Sequence, residues 1–175
     1  MNRGILTFAL TALVLFQVSC QDPVETKLDS IQKLESQIKA EPIEEQSGIA
    51  MNLVDHYVAF AQDHPKHKQA PLSWFKAGEV SEGLKEYEEA VRYFKEVYTN
   101  YPSHKKAPVA LFVEGFIYQD KIKNNALATE RFNQLMESYP EHELAEQAEA
   151  YLNLMKLRDE DLLEFLENKQ KTKDK

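Results

Sequence analysis

Apolar residues recur along this chain at the spacing of a helix face, and the faces themselves recur. Leu28, Ile31, Glu35 and Ile38 lie on one largely apolar stripe behind Asp22-Pro23-Val24-Glu25, which supplies a capping residue, a proline at the first helical position and an acid in the first turn. This predicts a helix over 23–40 that ends at Glu41-Pro42, because the residue before a proline avoids helical angles. A second helix is predicted over 44–62, with Ile49, Leu53, Val54, Tyr57 and Phe60 toward one side.

Beyond residue 62 the pattern repeats. The block HPKHKQAP (64–71) returns 37 residues later as YPSHKKAP (101–108) and a further 38 later as YPEHELAE (139–146). A period in the thirties is the mark of stacked helix pairs, each leaving an apolar face for its neighbour to cover. Between the blocks, Trp74, Gly78, Ala90, Phe94, Val97 and Pro102 form one unit. Leu111, Gly115, Tyr118, Ala128, Phe132, Leu135 and Pro140 form the next, with one residue inserted near Lys121 to Asn125. Small residues let paired helices approach to about 8–10 Å, and the aromatics fill the gap toward the next pair. Pro65, Pro102 and Pro140 should stop second helices, while Pro71 and Pro108 should fall in the first turn of the helices that follow.

These residues and spacings resemble the tetratricopeptide (TPR) repeat. The resemblance implies an all-α, right-handed solenoid of antiparallel helix pairs, with about two clear repeats and divergent caps at both ends. Upstream, Leu53, Tyr57, Phe60 and Pro65 match the second half of a unit whose first half is not recognisable. Downstream, Ala145, Ala148, Leu152 and Met155 continue a first-helix face, and Leu162, Leu163 and Leu166 suggest a short separate final helix. Residues 44–168 are thus the expected helical domain, and 169–175 a solvated, disordered tail.

The first 19 residues read differently. Arg3 precedes an apolar run from Ile5 to Phe16, shorter than the ~20 residues that span a bilayer and suited to a secretory signal. It ends at Ser19-Cys20, which resembles the lipobox of bacterial lipoproteins, although Gln17 stands where leucine is usual; an ordinary cleaved signal is the alternative. The resemblance implies lipidation of Cys20, the chain's only cysteine, a lipidated start over 20–43, and anchoring to a membrane outside the cytoplasm. Gln21 favours the outer membrane over the inner one in that family's sorting. The long repeat period and the YP-containing junctions resemble two envelope groups: the TPR lipoprotein of the outer-membrane β-barrel assembly complex and the periplasmic TPR protein of the Tol-Pal system.

Charge narrows the choice of partner. Lysine and arginine number 21 against 29 acids, a net charge of −8 that repels phosphate backbones, so nucleic acid is not an expected partner. His67, His104 and His142 hold equivalent repeat positions, on the order of 10 Å apart in successive units, too far to share a zinc ion. No P-loop, GxSxG or GxGxxG is present, and neither catalysis nor a cofactor is expected. The candidate site is a groove formed by first helices. Register places Leu72, Phe75, Glu79 and Glu82 there from one unit, and Val109, Phe112, Phe116 and Gln119 from the next. An apolar lining with an acidic edge suits an amphipathic helix or an extended peptide of an envelope protein; ordinary core aromatics are the competing reading. The helix over 23–40 could occupy that groove or stand free as an oligomerisation helix.

The expected function is therefore a non-catalytic, lipid-anchored interaction scaffold facing the periplasm from the outer membrane, in outer-membrane protein assembly. A role in Tol-Pal or cell-wall coordination, or as an accessory subunit of an envelope enzyme complex, is the alternative.

Overall fold

The structure, a computed structural model, describes residues 22–173. The expected lipobox with Cys20 and the expected signal segment lie outside those residues. Among the described residues seven α-helices follow one another: α1 (Pro23–Ala40), α2 (Ile43–Asp63), α3 (Ala70–Gly83), α4 (Tyr87–Asn100), α5 (Ala107–Ile117), α6 (Asn125–Ser138) and α7 (Glu143–Lys173). Each packs on the next, and α5 also touches α7, which is the order of an all-α, TPR-like solenoid. Among the described residues no helix is long and apolar enough to cross a membrane.

Prolines set the boundaries as their chemistry requires. The residue before each of Pro65, Pro102 and Pro140 leaves helical angles: His64, Tyr101 and Tyr139 sit at φ −128, −135 and −137°, with ψ near 55°. Pro71 and Pro108 occupy the first turns of α3 and α5, where no intrahelical N–H bond is lost. The junction tyrosines then tie one repeat to the one before it. Tyr101 donates from its hydroxyl to the Pro65 carbonyl at 3.0 Å, and Tyr139 to the Pro102 carbonyl at 2.8 Å.

Within each pair the glycines do what the spacing predicts. A Cβ on Gly78 would lie 2.7 Å from Cε1 of Phe94, and one on Gly115 the same distance from Cε1 of Phe132. Both rings are fully buried, so close helix approach and aromatic filling are one contact seen from two sides. The extra residue of the third pair is absorbed by a π-helical turn, Tyr118–Ile122, at the end of α5. The connection after it is unchanged: a left-handed lysine (Lys85, φ 66°; Lys123, φ 62°) precedes the residue that caps the second helix in both pairs.

Two expectations at the ends need correction. Helix α1 neither fills a groove nor stands free; it is the first helix of a complete first pair. Its Ile31 is core, Lys27 pairs with Asp63 at the far end of α2, and Tyr57 of α2 donates to the Glu35 carboxylate. At the other end there is no separate final helix, and the tail expected over 169–175 is helical as far as Lys173. From Glu143 onward the chain has no glycine or proline, so nothing in it stops α7 where the solenoid packing ends.

Candidate functional site

First helices α1, α3, α5 and α7 share one side of the array, as the cavities and aromatic contacts between them show. The side has two characters. Between α1 and α3 lies a mixed cavity of about 350 Å³, with Leu28, Ile31 and Leu72 beside Gln32, Glu35 and Lys76. Leu72, one of the predicted groove residues, is therefore on an accessible surface. Burial and the Glu35 carboxylate push the Tyr57 hydroxyl at its floor far above the usual phenol range.

Phe75 corrects the register argument. It is only 2% exposed and packs edge-on against Phe94 with ring centroids 5.3 Å apart, while the Lys106 ammonium sits 4.2 Å from its ring centre. Phe75 belongs to the core and offers a partner nothing. Glu79 is exposed and paired with Lys76 at 2.9 Å, and Glu82 is half-buried near the end of α3, so the acidic edge is partly neutralised.

The apolar surface lies further along, between α5 and α7. Phe112 and Phe116 are half-buried and both meet Tyr151 of α7, with centroids 5.8 and 6.0 Å apart and rings nearly perpendicular. Behind them Phe132 stacks on Tyr151 at 5.9 Å and fixes its ring. Val109 and Gln119, also half-buried, lie at the two ends of this stretch. The surface continues onto α7 through a shallow cavity of about 290 Å³ lined by Gln147, Ala150, Tyr151 and Leu154. Leu154 is 51% exposed and Leu157 58%, which is unusual for leucine in a packed array. Sequence reasoning missed Tyr151, Leu154 and Leu157, although the signal was present: counting the register on by 38 from Phe116 and Gln119 gives Leu154 and Leu157.

On the other side of α5, toward α4 and α6, sits a buried acid. Glu114 of α5 is 2% exposed, with one carboxylate oxygen 3.5 Å from Nε of Arg131 and the other without a partner. Burial pushes its pKa up to about 7, against the pull of the Arg131 guanidinium. Burial and the Glu114 carboxylate likewise raise the neighbouring Tyr98 hydroxyl. Arg131 donates to Tyr98 and pairs with Glu130, so it bridges the buried group and the surface.

Residues 72–104, essentially α3 with α4 and the start of the junction after it, match the family model described as tetratricopeptide repeat. No curated protein matches the chain.

Proposed function

We propose that this chain is a non-catalytic protein-interaction scaffold that holds a partner segment against Phe112, Phe116, Tyr151 and Leu154. The observation that carries the reading is the half-open aromatic cluster between α5 and α7, continuous with exposed leucines and backed by a rigid stack. Aromatics held at their inner edge and open at their outer one lose little side-chain entropy on binding, the property of anchor residues at interfaces. An amphipathic helix or an extended peptide from an envelope protein fits an elongated apolar strip of this kind. In this proposal the lipid on Cys20 holds the scaffold at the outer membrane, facing the periplasm, and outer-membrane protein assembly is its setting.

A photo-crosslinking residue in place of Leu154, which is exposed and so dispensable for folding, tests the reading. Protein adducts should form in the wild-type background and disappear in Phe116→Ala, with circular dichroism confirming that the variant stays helical. Adducts independent of Phe116, or capture of glycans and small molecules alone, would sink the proposal. Mass spectrometry of the mature N-terminus tests the anchor separately: an acylated terminus is expected from wild type and not from Cys20→Ala.

A further inference from the structure

The junctions between pairs contain a device that the scaffold role leaves unused. His67, His104 and His142 stand at one place in three successive junctions, and in each the ring Nδ1 accepts a hydrogen bond from the backbone N–H two residues on. The donors are Gln69, Lys106 and Leu144, each at 3.2 Å. The carbonyl of each histidine accepts from the N–H three residues on, of Ala70, Ala107 and Ala145, at 2.8–2.9 Å. The imidazole thus closes the turn that feeds a first helix, a task that serine or asparagine performs elsewhere.

An Nδ1 that accepts a hydrogen bond carries no proton, so the ring is neutral with its hydrogen on Nε2. A second proton would set N–H against N–H and place a positive charge beside a helix N-terminus, where the backbone dipole is already positive. Because three junctions share the geometry, one change in the medium acts on all of them.

We propose that His67, His104 and His142 form a set of pH-responsive hinges, in which protonation at Nδ1 releases the three caps and loosens the stacking of successive helix pairs. Charged surroundings differ among the three. Around His67 are Lys66 and Lys68 of the junction, with Asp63 and His64 from the end of α2, Asp63 being paired with Lys27 of α1. Beside His104 stand Lys105 and Lys106, and burial together with these two cations pulls its pKa below the ordinary 6.5. His142 lies between Glu141 and Glu143, with Glu137 in the last turn of α6. For His104 the sign follows directly. The fold favours the neutral ring, so the cap's contribution is present above 6.5 and is lost as pH falls through the lower folded value.

Amide hydrogen exchange followed by NMR, corrected for the intrinsic rate at each pH, tests the hinges directly. Between about pH 7.5 and about pH 5, a range that spans ordinary histidine titration, protection at the Gln69, Lys106 and Leu144 amides should fall about tenfold, the loss of one net hydrogen bond. Asparagine places an acceptor oxygen near the position of Nδ1 but does not titrate, so in H67N/H104N/H142N the same amides should stay protected across the range. Unchanged wild-type protection on acidification, or an equal fall in the triple variant, overturns the proposal. Should the triple variant fail to fold, H104N alone must flatten the Lys106 response while Gln69 and Leu144 still respond; a Lys106 response that persists in H104N is equally fatal.

Discussion

Replacing Glu114 by glutamine should stabilise the protein at neutral and alkaline pH and leave it nearly unchanged in mild acid. The fold raises this carboxyl from the ordinary 4.5 to about 7, so the folded chain keeps a proton that the unfolded chain releases across that window. Stability from this group is therefore fully present below 4.5 and is lost as pH rises through 7. At about 1.4 kcal/mol for each pKa unit, the ionised form costs up to about 3.5 kcal/mol. Glutamine keeps the shape, removes the charge and leaves Arg131 its contact with Glu130, so the expected gain at about pH 8 is about 1–3 kcal/mol. Urea unfolding of both proteins at several pH values, with the slope checked for constancy, measures the difference. The difference must be compared, since His104 acts on absolute stability with the opposite sign. A gap between variant and wild type that stays constant from about pH 5 to about pH 8 would refute burial as the cause of the raised pKa.

Two further substitutions test the packing. Gly115→Ala should cost about 1–3 kcal/mol, because its Cβ would meet the fully buried Phe132 ring at 2.7 Å; Gly48→Ala, with nothing within 4 Å of its Cβ, should gain up to about 1 kcal/mol from helix propensity. Equal signs for the two in urea midpoints would show that helix approach does not limit the third pair. Tyr139→Phe removes the hydroxyl bond to the Pro102 carbonyl and should cost about 0.5–1 kcal/mol with no change in pH dependence, read from thermal melts at two pH values.

Where the chain keeps to the repeat pattern, the fold was legible in the sequence, because proline acts through local sterics and each glycine stands at a fixed spacing from the aromatic that fills its place. Helix α1 was harder to place. Tyr57 of α2 holds the register of Phe94, but its partner across the pair is Glu35, in a polar contact, where Phe94 meets Gly78. A search for a small residue therefore finds no first helix there. The end of α7 was misread for the opposite reason: the pattern of apolar residues fades, but a helix needs a breaker to stop, and none is present. At the site, register identified which helix face a residue occupies but carried no information about what covers it.

The contrast between Phe75 and Phe112, equivalent in register and different in fate, explains why the candidate surface belongs to the third and fourth first helices. Phe75 is closed over by Phe94 and by Lys106, whose ammonium sits on the ring. The residue corresponding to Lys106 one repeat later is Leu144, and what meets Phe112 is Tyr151, itself stacked on Phe132. The same unit holds the other departures from regularity. Glu114 stands where Ala77 stands a repeat earlier, and the π-helical turn begins one helical turn after it. A π turn accommodates one extra residue without lengthening the connection, which is why Lys123 and Asn124 still meet α6 as Lys85 and Glu86 meet α4. The irregular unit thus preserves its junction to α6 while its outer face departs from that of the unit before it. In a structure otherwise built by repetition, a buried acid, a widened turn and half-open aromatics in a single pair are where local consistency is given up, and such places are where function is expected.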